Sequence, residues 1–232
     1  MPDRYAREDE GQPPSLHPPY RSTVARSPRQ PLVKIPQTLT ETTGPADWDA
    51  LMGPVMADLT RQHAAPPIGQ RIIVAGRVLD EGGRPVPRTV IEIWQANAAG
   101  RYIHAADQWD APLDPNFTGV GRVVTDGEGR YRFVTVRPGA YPWKNHDNAW
   151  RPAHVHLSLL GPAFATRLVT QFYFDEDPLI AIDPIASAVP APHRQRLIAN
   201  FDLGLTEPGW ALGYRFDIVL RGAGATPMEA GA

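Results

Sequence analysis

The chain predicts an all-β fold: a β-sandwich of short antiparallel strands with long site-bearing loops and an N-terminal arm. Three observations carry that expectation. From residue 70 onward, short runs rich in β-branched and aromatic residues recur, each closed by a turn signal. Proline (26) and glycine (20) make up about a fifth of the 232 residues, which suits many turns better than long helices. Helical periodicity is confined to one interrupted stripe before residue 63 and a short stretch near residue 195.

Residues 1–36 are rich in Pro, Arg and Ser and show no sustained period. They read equally as a solvated tail or as an arm that packs on the domain or a partner. Residues 37–69 form a linker with a helix candidate over 46–62. There Trp48, Leu51, Met52, Val55, Met56 and Leu59 fall at i, i+3, i+4, i+7, i+8 and i+11. Gly53-Pro54 breaks that pattern. Residues 70–222 read as the sandwich, with strands over 71–79, 89–94, 121–125, 131–136, 153–159, 167–174 and 214–220. Asp80-Glu81-Gly82-Gly83 and Asp126-Gly127-Glu128-Gly129 supply hairpin turns. A short helix is expected over 192–200, and 223–232 reads as a C-terminal tail. The long connections 95–120 and 137–152 are where a sandwich would carry a site.

Composition narrows the function. A formal charge of −2 argues against a nucleic-acid partner. No run of about 18 apolar residues could form a membrane span. The N-terminus is charged and lacks the apolar core of a signal peptide, so a cytoplasmic location is expected. The absence of cysteine excludes disulfides, zinc thiolates, iron–sulfur clusters and thiol catalysis.

The informative stretch is 141–156. His154 and His156 are spaced i, i+2 on an apolar strand, so both imidazoles point the same way, roughly 6.5–7 Å apart. One buried histidine is usually a satisfied core group, but burying two without a shared purpose is costly. The pair therefore reads as metal-binding. No carboxylate stands at the spacing of a His/His/carboxylate triad, and Asp147 reads first as turn chemistry. Phenols are the alternative donors: Tyr141 and Tyr102 are candidates, each alone more often a core tyrosine, and spacing does not select Tyr102. A phenol becomes an anionic ligand only beside a strong Lewis acid, which suits Fe(III). Arg151 could stabilise negative charge on a substrate, or simply cap or face solvent. Gln171 could support the site by a hydrogen bond or serve structure alone.

Tyr141-Pro-Trp143 together with Trp150-Arg-Pro-Ala-His-Val-His156 resembles the iron signature of the intradiol ring-cleaving dioxygenases. The likeness extends to Ala25-Arg-Ser-Pro-Arg-Gln30, Glu41-Thr-Thr-Gly-Pro45, Ile72-Ile-Val-Ala-Gly-Arg-Val78, Trp94-Gln-Ala-Asn97, Ala111-Pro-Leu-Asp-Pro-Asn116, Gln171-Phe-Tyr-Phe174 and Tyr214-Arg-Phe-Asp-Ile-Val-Leu-Arg-Gly222. It covers roughly residues 15–222 and points to the branch built from α and β chains. The resemblance implies one non-haem Fe(III) per chain, with Tyr102, Tyr141, His154 and His156 as ligands. It implies that Tyr141 leaves the metal and takes up a substrate proton, while Tyr102 stays bound. Arg151 then stabilises the activated substrate, Gln171 matches a catalytic-site residue that supports it by hydrogen bonding, and Tyr20, Trp143 and Ile185 line the pocket. The implied substrates are protocatechuate and O2, and the implied partner is a homologous α chain. Trp109, where many relatives carry Tyr, and Ala140, where Pro is common, depart from the pattern without removing a ligand. Two other readings compete: a homodimeric catechol or hydroxyquinol dioxygenase, and a non-enzymatic sandwich binding module. The first carries a substantial helical N-terminal region, and the single broken helix candidate here weighs against it. The second has no use for four such donors.

Overall fold

The computed structural model describes residues 9–31, 33, 53–143, 150–162 and 164–229. Its strands, in chain order, are β1 (Arg71–Leu79), β2 (Val90–Trp94), β3 (Val120–Val124), β4 (Arg130–Val136), β5 (Tyr141–Pro142), β6 (Trp150–Arg151), β7 (His154–Gly161), β8 (Phe164–Phe174), β9 (Ile198–Phe201), β10 (Leu212–Arg215) and β11 (Ile218–Val219). Two short helices, α1 (Arg21–Arg26) and α2 (Pro184–Ala188), and four single-turn or slightly longer 3-10 segments complete the described elements. No helix among the described residues is long and apolar enough to cross a membrane.

The strands form a nearly closed sheet in the order β11-β1-β10-β9-β8-β7-β2-β3, with β4 on the other edge of β1. β5 and β6 pair separately, Tyr141 opposite Arg151. One apolar core fills the interior. Ile72 and Val74 of β1, Ile91 and Ile93 of β2, Phe133 of β4, Val155, Leu157 and Leu159 of β7, and Phe172 and Phe174 of β8 all lie in it. Strand alternation then dictates the rest: His154, His156 and Ser158 of β7 point to the opposite face. That face is covered too, since every β7 residue except Leu160 is buried. The site therefore lies on the outer side of the β2-β7-β8 layer, under segments that return over it.

Three expectations need correction. The strands are not all antiparallel: β1 pairs β10 and β11 in parallel, and β8 pairs β9 in parallel. The excursion between β8 and β9 is long enough for the crossover that a parallel pair requires. The helix expected over 46–62 is also not seen where it can be judged. Trp48, Leu51 and Met52 lie outside the described residues. Beyond them Met56 bridges Arg122, Asp58 bridges Val134, and only Leu59–Arg61 turns, as a 3-10 segment capped by Asp58. Pairing with β3 and β4 takes precedence there over the helical period. The helix expected over 192–200 is a 3-10 segment, Ala191–Leu197, that runs straight into β9.

Candidate metal centre

Two loops bring the tyrosines to the histidine strand. The first leaves β2 at Trp94 and is organised by Asn97. Its Oδ1 accepts from the Ala99 and Arg101 amides, both at 2.9 Å, and its Nδ2 donates to the Pro112 carbonyl at 2.9 Å. Gly100 sits at φ +79°, and a Cβ there would lie 2.3 Å from the Ala140 carbonyl oxygen. Only glycine tolerates that conformation and that approach. The second loop is thereby held against the first, and the Tyr102 and Tyr141 rings meet edge to face at 5.5 Å. Asn97 O also accepts from both Gly100 and Gly139, at 3.0 Å each.

The four rings form one cluster. The His154 and His156 centroids are 4.8 Å apart, Tyr141 lies 5.4 Å from His154, and Tyr102 lies 6.5 Å from His156. His154 Nδ1 donates to the Pro152 carbonyl at 2.7 Å, which leaves Nε2 as the lone pair turned toward Tyr141 Oη, 3.3 Å away. Burial, then the neighbouring charges of Arg151 and His156, push His154 well below its usual 6.5, so it is neutral and available as a ligand. Trp94 stacks flat on His156 at 4.9 Å.

Arg151 is the hub beneath the rings. Its Nε and Nη2 donate to the two Asp183 oxygens at 3.1 and 3.2 Å, and Nη2 also donates to Gln171 Oε1 at 3.1 Å. Nη1 reaches His154 Nε2 at 3.0 Å and Tyr141 Oη at 3.4 Å. Burial opposes its charge, but Asp183 and the phenols of Tyr141 and Tyr173 outweigh it, and the guanidinium stays protonated. A cation at His154 Nε2 would take that lone pair from Arg151, whose bonds to Asp183 and Gln171 hold it in place.

An apolar cluster adjoins the hub. Tyr20, Ile185 and Ala188 are buried together with Trp143 against them. Tyr20 and Trp143 rings are 5.3 Å apart, and Arg151 Cζ lies 5.3 Å above the Trp143 ring. The arm reaches this place because Thr23 Oγ1 donates to His17 and Tyr20 carbonyls, each at 2.7 Å, and His17 Nε2 meets Ser187 Oγ at 3.1 Å. All nine residues singled out in the sequence thus fall in one connected region.

The donor set passes a test for a bound cation. Among the described residues no group of three or more His, Cys, Asp or Glu could hold a metal, and the further donors beside the two histidines there are the phenols of Tyr102 and Tyr141. Three buried tyrosine hydroxyls can be compared. Tyr131 Oη donates to the Phe216 carbonyl at 2.5 Å, and Tyr173 Oη donates to Asp183 at 2.6 Å. Among the described residues, Tyr102 Oη is buried without a hydrogen bond of good geometry, its ring lying against the Tyr141 phenol. Such an orphan costs about 1–3 kcal/mol unless something else satisfies it. Burial, and next the Tyr141 phenol, push the Tyr102 hydroxyl well above its usual 10, so it ionises only against a strong nearby cation. Two imidazoles and two phenols suit a trivalent, oxygen-seeking ion.

Several residues of this region escaped the sequence. Asp183 was signalled only by Asp-Pro ahead of a helix, where it caps α2 by accepting from the Ala186 amide at 3.2 Å. Tyr173 stands at i+2 from Gln171 and therefore shares its face. Glu229, whose carboxylate lies 3.0 Å from His156 Nδ1, gave no signal at all.

A model of the family described as "Dioxygenase" matches residues 42–222, and one described as "Protocatechuate 3,4-dioxygenase beta subunit N terminal" matches residues 5–38. The chain is 57% identical over 216 residues to the protocatechuate 3,4-dioxygenase beta chain of Burkholderia cepacia, covering 92% of each. It is 31% identical to the alpha chain from the same organism, over 68% of this chain and 76% of that one. Among solved structures, chlorocatechol 1,2-dioxygenase from Pseudomonas putida superposes with a TM-score of 0.53 at 26% identity, over 76% of this chain and 69% of that one. The chain therefore belongs to the intradiol ring-cleavage dioxygenases, on the branch of the protocatechuate 3,4-dioxygenase β chains.

Proposed function

We propose that this chain is the iron-bearing β subunit of an αβ dioxygenase. It would cleave protocatechuate between its two hydroxylated carbons, using O2, to give 3-carboxy-cis,cis-muconate. The observation that carries the reading is the orphaned Tyr102 hydroxyl at the meeting point of Tyr141, His154 and His156. Tyr102, Tyr141, His154 and His156 would hold one non-haem Fe(III). When bound, that ion supplies Lewis acidity that favours the anionic form of the substrate's adjacent hydroxyls. The residues do the rest. Tyr141 is the phenol in reach of both Arg151 and His154, and its Oη takes up a substrate proton, so no separate general base is needed. The permanently charged Arg151, pinned by Asp183, faces negative charge that develops on the ring oxygens. Gln171 holds Arg151 in that orientation. Tyr20, Trp143 and Ile185 wall the ring and keep water away from it.

A cytoplasmic location and an α chain as partner complete the proposal. The α partner is supported by the naming of α and β chains in one organism and by likeness to both. The catalytic unit is residues 70–222, with the arm of 1–36 lending Tyr20. The test is turnover of the chain assembled with its α partner and loaded with iron. Tyr141→Phe is expected to leave the fold intact by circular dichroism and to lower kcat about 100-fold or more. Unchanged turnover would refute the role given to Tyr141.

A further inference from the structure

The last described residues are tied down along the site, not trailing away from it. Thr226 exchanges two bonds with Val219: its amide donates to the Val219 carbonyl at 2.8 Å, and its Oγ1 accepts from the Val219 amide at 3.0 Å. Thr170 Oγ1 on β8 donates to the Pro227 carbonyl at 2.7 Å. The Met228 amide donates to Gln12 Oε1 of the arm at 2.7 Å, and the Glu229 amide donates to the Val169 carbonyl at 2.9 Å. Thr170 and Thr226 are both buried. Five anchors over a few residues deliver one carboxylate to one imidazole, with Glu229 Oε2 3.0 Å from His156 Nδ1.

That contact decides which nitrogen of His156 carries its proton. A carboxylate only accepts, so Nδ1 must donate, and an imidazole that binds a metal beside it does so through the Nε2 lone pair. His154 reaches the same state by donating to the Pro152 carbonyl. His156 differs in having an anionic partner, and that partner comes from a segment remote in sequence. Trp94, stacked flat on the ring, fixes its plane but cannot select a tautomer.

We propose that Glu229 is a positioning residue for His156, holding its imidazole as the Nδ1–H tautomer with Nε2 turned to the metal, so that metal retention depends on a docked C-terminal tail. The proposal rests on the metal reading above. Partners of this kind change metal affinity about 10- to 100-fold.

The test uses the full chain with its α partner, as wild type, Glu229→Ala and Glu229→Gln. In the iron-free protein, 15N NMR of the imidazoles reports the His156 tautomer without reference to metal. Wild type should show Nδ1–H, Glu229→Ala should lose that preference, and Glu229→Gln, which keeps an acceptor oxygen, should retain most of it. In the iron-loaded protein, release to a chelator should be about 10- to 100-fold faster for Glu229→Ala, with little change in the melting temperature of the iron-free form. A Glu229→Ala protein that keeps the wild-type tautomer, or releases iron at the wild-type rate, would overturn the proposal. A wild-type protein that takes up no iron would instead fail the metal reading, and this proposal with it.

Discussion

Arg151 carries a charge that is almost wholly enclosed, and Asp183 is what makes this tolerable. The Asp183 carboxylate is fully buried and accepts from Arg151 twice, from the Tyr173 hydroxyl and from the Ala186 amide. Removing one partner of such a pair leaves the other charge stranded, a loss of about 3–5 kcal/mol. Asp183→Ala should therefore lower the unfolding free energy by that amount in urea denaturation of the iron-free protein. A loss below about 1 kcal/mol would mean that Arg151 finds water or another carboxylate. At this scale the sequence was partly legible. His154 and His156 announced themselves by spacing, because a two-residue period on a strand is a geometric statement. Tyr102, Asp183 and Glu229 did not, because each reaches the site through a loop or tail whose path no local period encodes.

The loops that position the site are built by backbone chemistry. Gly100, at positive φ and pressed against the Ala140 carbonyl, joins the Tyr102 loop to the Tyr141 loop. Gly100→Ala should cost about 1–3 kcal/mol of stability and separate the two phenols. The measurement is thermal melting alongside iron content, and a variant with both at wild-type values would contradict the claimed close approach. The strands themselves were readable where apolar runs border a Gly-rich turn, as with β1 before Asp80–Gly83 and β3 and β4 on either side of Asp126–Gly129. The parallel pairings were not, since β10, β11 and β9 find their neighbours through long crossovers. The stripe at 46–62 misled because Met56 and Leu59 serve the sheet: Met56 bridges Arg122, and Leu59 is wholly buried in the core.

At the scale of the whole molecule, three distant segments converge on the outer side of one sheet layer. The arm contributes Tyr20, the excursion between β8 and β9 contributes Asp183 and Ile185, and the tail contributes Glu229. This arrangement explains why β7 is buried on both faces although only one faces the main core. It also buries His154, His156 and the Tyr102 hydroxyl away from bulk water. In the proposed function these rings hold Fe(III) through two phenolates. The measurement that tests it most directly is the visible absorption spectrum of the purified protein with iron analysis, before and after anaerobic addition of protocatechuate. One iron per chain is expected, with a broad visible band from tyrosinate-to-iron charge transfer that shifts when substrate binds. A protein that stays colourless after iron loading would contradict it.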